Sequence, residues 1–263
     1  MNTRFLIFSI VYFIAHSHCK LLSNSVERII GGSEINIESV PYVLSIMLND
    51  NYACSGAIIN NNWAITAAHC ITAANDPLKE ISICSGCTIL YKDCVTHNIV
   101  NFFIHENFNN VTNDYDIAAI KVTPMFTYNN FTKAIDLAPD NNVFTKWGIV
   151  CGWGYYLKLN NNIEPILPKT LRCIQIPQVE RKLCSKEYKD RYIITPQMLC
   201  YGYQNGIEDA CKGDSGASIV NENNILLGVT SWGDGCAEMY SPGVYTNAVC
   251  LRHWIKNKTE MDT

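Results

Sequence analysis

The sequence predicts an all-β secreted domain. Three observations predict it: short apolar stretches cut by polar turns, 13 cysteines in 263 residues, and an apolar run behind a basic residue at the N-terminus. Frequent short strands without intervening amphipathic helices are the pattern of β-barrels and related folds. The length fits one such domain, since all-β folds of ~200–250 residues commonly form a single unit. Cysteine at this density reads as a disulfide framework in an oxidising compartment. The formal net charge of −4 points away from nucleic acid or an anionic membrane as partner.

Taken in order, the chain opens with Arg4 ahead of the apolar run 5–15. That run is too short to cross a bilayer and fits the core of a signal peptide. Small residues at Ala15 and Ser17 set its end, giving a signal peptide over 1–17. Residues 18–28 are polar, lack an apolar period and read as a propeptide ending at Arg28. No later apolar run is long enough to span a membrane, so a soluble extracellular product is expected. Strands are expected at 42–48, 57–59, 63–66, 117–122, 149–151, 171–176, 225–230 and 243–246. The stretch 249–256 reads as a short C-terminal helix with Trp254 packed inward. Asparagine runs at 60–62, 109–110, 129–130 and 160–162 mark loops. Asn110, Asn130 and Asn257 each head an N-x-Thr sequon, a possible glycan site in a secreted chain. There is no linker, internal repeat or accessory module.

The chemistry centres on Asp209-Ala-Cys-Lys-Gly-Asp-Ser-Gly216. Glycines at 213 and 216 allow a tight turn without a Cβ penalty. The N–H groups of Gly213 and Ser215 can then converge as an oxyanion hole. A serine hydroxyl is a weak nucleophile at neutral pH and needs a base. His69, in Thr66-Ala-Ala-His69-Cys70, supplies one, and Asp116, in Asn113-Asp-Tyr-Asp116-Ile-Ala-Ala-Ile, can orient it. Asp114 precedes a tyrosine rather than an apolar run and reads as a solvated loop acid. The order His, Asp, Ser is one of those found in Ser-His-Asp hydrolases.

Seven motifs in this order resemble the trypsin-like serine proteases of the chymotrypsin fold. They are Arg28-Ile-Ile-Gly-Gly32, Thr66-Ala-Ala-His-Cys70, Asp116-Ile-Ala, Cys151-Gly-Trp-Gly154, Gly213-Asp-Ser-Gly216, Ser231-Trp-Gly233 and Pro242-Gly-Val-Tyr245. The resemblance runs from Ile29 to about Ile255, within a protease domain taken as 29–263. It implies two six-stranded Greek-key barrels with the active site in the cleft between them. His69 and Asp116 come from the first barrel and Ser215 from the second. It implies a secreted serine endopeptidase acting through an acyl-enzyme, without cofactor or metal. The calcium loop of some relatives should fall between Gly86 and Asn98, where Asp93 is the only carboxylate, too few oxygens for that ion.

The resemblance also assigns specificity and activation. Asp209 takes the floor of the primary pocket, where a carboxylate needs a cationic partner, the Arg or Lys of a protein or peptide substrate. Ala210 adjoins the floor, without a hydroxyl, and favours arginine over lysine. Gly233 and Gly243 form walls that must stay small, and Ser231-Trp232-Gly233 offers backbone to the substrate strand. Cleavage after Arg28 frees the Ile29 amine to pair with Asp214 and open the oxyanion hole. Implied disulfides are Cys54–Cys70, Cys184–Cys200 and Cys211–Cys236. Cys151 lacks its usual partner, with Asn221 near that place, and has Cys173 as an alternative. Cys84, Cys87 and Cys94 form an unusual cluster, for which disulfides are favoured over a zinc site with His97. Cys19 and Cys250 have no obvious partner. A monomer, open to protein inhibitors, is expected. Ala217-Ser218 stands where Gly-Pro is usual, and Ser55-Gly56 where Gly-Gly is usual. These departures keep a second reading open: a protease-fold binding protein with little turnover.

Overall fold

The computed structural model describes residues 32–139, 145–159, 163–205, 213–235 and 238–261. Two closed barrels, each of six strands, make up the fold. In the first, β1 (Val43–Leu48), β2 (Asn51–Ile58), β3 (Trp63–Thr66), β4 (Ile81–Ser85), β5 (Val95–Ile104) and β6 (Ala118–Thr123) pair in the order β1-β2-β3-β6-β5-β4, and β4 returns to β1. The second contains β7 (Trp147–Gly152), β8 (Arg172–Val179), β9 (Met198–Tyr201), β10 (Ser218–Val220), β11 (Ile225–Trp232) and β12 (Gly243–Asn247). Its ring runs β7-β8-β9-β12-β11-β10 and closes on β7. Closure leaves no barrel edge open for pairing with another chain.

Most strands follow from composition. The sequences VLSIML of β1 and ILLGVTSW of β11 are rich in branched apolar residues and buried along nearly their whole length. The strand β5 is less legible. Its sequence VTHNIVNFFI alternates buried and exposed residues at first, then a register shift between Ile99 and Asn101 breaks the period. One apolar cluster fills the first barrel and continues to Val229, Leu251 and Ile255. A second fills the other barrel with Ile176, Tyr201, Ile219, Leu227 and Tyr245.

The C-terminal helix spans Arg252–Lys258 and buries Ile255 completely. Trp254 is half-buried and packs against the core cluster, in line with its expected inward packing. Its ring lies 5.0 Å from that of His105, and its indole N–H donates to Glu106 Oε2 at 2.8 Å. An indole nitrogen cannot go unbonded in a core without cost, and here a rim carboxylate accepts from it.

The disulfides Cys54–Cys70 and Cys184–Cys200 are present, and Cys151 bonds Cys173, the partner left open as an alternative. Each contributes about 2–4 kcal/mol. Cys151 and Cys173 are cross-strand partners of β7 and β8, which is why this pairing is available. Cys87 bonds Cys94. His97 stays in the core, its ring nitrogens 2.9 Å from Ser85 Oγ and 2.6 Å from the Pro124 carbonyl. Among the described residues, Cys84 and Cys250 are free thiols. Cys19, Cys211 and Cys236 lie outside the described residues, and with them the expected Cys211–Cys236 bridge. No helix among the described residues is long and apolar enough to cross a membrane.

Candidate active site

The site is built around one buried carboxylate. Asp116 is fully buried, in the loop leading into β6. A charge there is tolerated only if its oxygens are fully hydrogen-bonded, and three donors meet that need. The backbone N–H of His69 donates to Oδ1 at 2.9 Å. His69 Nδ1 lies 2.7 Å from Oδ2, and the Ser231 hydroxyl donates to the same oxygen at 2.6 Å. An ionised carboxylate can only accept, so Nδ1 carries the proton and the neutral ring keeps its lone pair on Nε2. The His69 side chain is one-third exposed (33 %), so this lone pair is reachable from solvent.

Each element has a local reason. The helix Ala68–Thr72 starts directly after β3 and carries His69, and the Cys54–Cys70 disulfide ties its first turn to β2. Ser231 reaches Asp116 because of a bulge. Thr230 pairs with Tyr245 and Trp232 with Val244, leaving Ser231 as the extra residue on β11. A bulge turns one side chain off the ladder direction. Thr246 of β12 adds a bond from its Oγ1 to the Asp116 carbonyl at 2.8 Å. Thus the second barrel holds the acid of the first through two hydroxyls.

The Ser215 loop is pressed against the same place. Ser55 N–H of β2 donates to the Ser215 carbonyl at 2.8 Å. Gly216 has φ +79°, and a Cβ there would sit 2.1 Å from Thr66 Oγ1 and 2.3 Å from the Ser55 carbonyl. Only glycine fits, and its absence of a side chain brings the nucleophile candidate up to the histidine segment. Among the described residues, no hydrogen bond joins Ser215 Oγ to His69, whose Nε2 lies 3.8 Å from Cys70 Sγ. Such bonds are often long or misaligned before substrate binds. The N–H groups of Gly213 and Ser215 donate to no acceptor among the described residues.

Residues 29–255 match the family described as Trypsin. The chain belongs to the trypsin family of serine proteases. A vitellin-degrading protease of Bombyx mori is 31% identical over 256 residues, covering 97% of this chain and 93% of the relative. Transmembrane protease serine 11E of Mus musculus is 32% identical over 236 residues, 88% of this chain and 55% of the relative. Coagulation factor XI of Bos taurus is 33% identical over 243 residues, 89% of this chain and 38% of the relative.

Several family motifs acquire a physical reason here. In Cys151-Gly-Trp-Gly154 both glycines make room for Asp214. A Cβ at Gly152 would lie 2.5 Å from its Oδ1, and one at Gly154 2.3 Å from its Cγ. The Gly154 N–H donates to Asp214 Oδ1 at 3.0 Å. Ala217 is accommodated despite its methyl: it is buried, its N–H bonds the Asp214 carbonyl at 2.8 Å, and its carbonyl accepts from Thr230 N–H. Ser218 is buried and its hydroxyl lacks a partner among the described residues. Gly233 and Gly243 face each other: a Cβ on Gly233 would lie 3.9 Å from Gly243 Cα. Trp232 is half-buried, with its ring against Tyr188 and Tyr192 at 5.1 and 5.0 Å.

Other expectations fall differently. Asp209 and Ala210 lie outside the described residues, as do Arg28 and Ile29. Asp114 is half-buried rather than solvated, and accepts from the Thr195 hydroxyl at 2.7 Å. Asn110, Asn130 and Asn257 are exposed, but Asn257 sits in the last helix, and the hydroxyl of its sequon partner Thr259 is buried on the Ile255 carbonyl at 2.7 Å. Sequence reasoning missed the Ser231 hydroxyl and Tyr52. The phenol of Tyr52 lies 2.6 Å from the Gly213 carbonyl. Nothing in the neighbourhood of either residue in sequence signals these long-range bonds.

Proposed function

We propose that this trypsin-family protein is a secreted endopeptidase using Ser215 as nucleophile, His69 as general base and acid, and Asp116 as the orienting carboxylate. The observation that carries the reading is the fully buried Asp116, bonded to His69 Nδ1 and backed by Ser231 of the other barrel. That network fixes the tautomer that presents Nε2 as a base. Ser215 Oγ attacks the scissile carbonyl carbon while its proton passes to His69 Nε2. The oxyanion is held by the N–H groups of Gly213 and Ser215. Collapse breaks the C–N bond, and the imidazolium returns the proton to the leaving amine. Water repeats the sequence, releasing the acid and restoring Ser215.

The finer reading follows the same residues. Asp209, with Ala210, sets cleavage after Arg or Lys, and the facing pair Gly233 and Gly243 leaves room for the long side chain. The protein is made with a signal peptide over 1–17 and a propeptide over 18–28. Cleavage after Arg28 frees the Ile29 amine, which pairs with Asp214. The glycines at 152 and 154 keep space around that carboxylate. A relative named for degrading vitellin supports a protein substrate.

The test is covalent labelling. Protein cleaved after Arg28 is treated with an organophosphate, and the labelled peptide is found by mass spectrometry. Stoichiometric label on Ser215, lost in Ser215→Ala, is the expected result. No label on protein with Ile29 as its N-terminus rejects the enzyme and favours a binding protein. A peptide-library profile then checks the pocket, and a preference for aromatic residues before the cleaved bond overturns the role of Asp209.

A further inference from the structure

We propose that Tyr52, with Ser55 behind it, is a positioning residue of the oxyanion hole. The inference rests on the role given above to Ser215. Gly213 and Ser215 supply the two oxyanion N–H groups, and the Gly213–Asp214 peptide joins them, so their relative direction depends on how the 213–215 backbone is held. All three carbonyls of this segment are fixed. The Ser215 carbonyl accepts from Ser55 N–H, and that of Asp214 from Ala217 N–H, both at 2.8 Å. The Gly213 carbonyl accepts from a side chain 161 positions away in sequence, the Tyr52 phenol, at 2.6 Å.

Proton counting fixes the directions. A carbonyl oxygen only accepts, so the single phenolic proton of Tyr52 goes to Gly213. The Ser55 hydroxyl, 2.8 Å from the phenol oxygen, is therefore the donor in that pair. The Trp153 N–H donates to the same oxygen at 3.4 Å. The phenol thus receives two N–H or O–H groups and passes its proton in one direction only. Burial, with the neighbouring Asp214 charge, holds Tyr52 far above the ordinary phenol range, so the donor is never lost at working pH. The ring itself is confined by the edge of Trp153, with centroids 6.2 Å apart.

Space agrees with this role. Gly213 has φ +93°, and a Cβ on it would stand 3.2 Å from Gly154 Cα and 3.5 Å from Tyr52 Cε1. The oxyanion turn is therefore caught between the tyrosine ring and the Gly154 backbone. The plane held by the phenol is that of the Gly213–Asp214 peptide, which lies between the Gly213 and Ser215 N–H groups; rotation of that plane changes the angle between those two donors, and one misplaced donor costs about 10²–10³ in rate. Ser55 stands where the family usually has glycine, and the structure gives its hydroxyl a purpose: it orients the phenol that orients Gly213.

The experiment uses the activated full chain and diisopropyl fluorophosphate. In this reaction a Ser215 Oγ–P bond forms, fluoride leaves and the serine proton passes to His69. The phosphoryl oxygen occupies the oxyanion position, so the inactivation rate reads the hole without depending on the Arg or Lys pocket. Tyr52→Phe is expected to slow inactivation by about tenfold or more, and Ser55→Ala by a few-fold. Ser55→Ala added to Tyr52→Phe should slow it no further, since the serine acts through the phenol. A merely structural role would lower the melting temperature and leave the rate of the folded protein unchanged. Tyr52→Phe inactivated within about twofold of the parent overturns the proposal. If that variant does not fold, Ser55→Ala decides, and an unchanged rate there overturns it equally. If the parent itself is not labelled, the role of Ser215 falls and this inference with it.

Discussion

Gly154→Ala tests whether the glycines of the Gly-Trp-Gly motif exist to house Asp214. The added Cβ would lie 2.3 Å from Asp214 Cγ and 2.4 Å from each carboxylate oxygen, where ordinary contact begins near 3.4 Å. The two groups must separate by about 1 Å, and Asp214 is covalently adjacent to both proposed oxyanion donors, Gly213 and Ser215. Since a displacement of about 1 Å can cost ~10²-fold in rate, kcat/KM should fall by that order. Overpacking adds a stability loss of about 1–3 kcal/mol, a melting shift of about 2–10 °C for a domain of this size. The assay is peptide hydrolysis with active-site titration, so that rate is counted per folded site, alongside calorimetry. Gly233→Ala is the comparison, because among the described residues its Cβ meets nothing nearer than 3.8 Å. This leaves room for the methyl, so stability should be unchanged and only substrates with long side chains at the pocket weakened. Gly154→Ala retaining kcat/KM within about threefold of the parent would refute the reasoning.

Three further outcomes follow. Ser231→Ala removes one of three donors from the buried Asp116 and should lower kcat/KM by about 10–100-fold, from about 1.5–3 kcal/mol for a bond to a charged group; steady-state kinetics with substrate well below KM checks it. Ser218→Ala should be neutral or stabilising by up to about 1 kcal/mol with activity kept, because the buried hydroxyl it removes has no partner among the described residues; urea denaturation reads this. Burial lowers the pKa of both His97 and His105 below the ordinary value. Their neutral forms are favoured in the folded state, so the stability they contribute is present above about pH 6.5 and is lost as pH falls below it. Urea titrations from pH 8 to 5 should show that decline, and its absence would sink the assignment.

The strands were legible where apolar residues run unbroken, as in β1, β3 and β11. They were hidden where the period breaks or the strand is short. The bulge near Val100 interrupts the alternation of β5, and β10 has three residues following directly on the Ser215 turn. At the site, His69, Asp116 and Ser215 stood out because each lies in a local pattern whose residues serve the same turn or strand. Ser231 carried no such mark: its hydroxyl bonds an acid 115 positions away. Tyr52 carried no mark either, since its phenol meets a carbonyl 161 positions away.

The sequence by itself determined the kinds of groups, their order and the tight turns, because glycine freedom, strand propensity and turn chemistry act over a few residues. Only the tertiary structure decided which hydroxyl completes the shell of Asp116, which phenol holds Gly213, and why Gly152 and Gly154 must lack side chains. Those choices depend on closing the second barrel and packing it against the first, which sets contacts of about 3 Å between residues 60 to 161 positions apart. No local pattern encodes a distance of that kind.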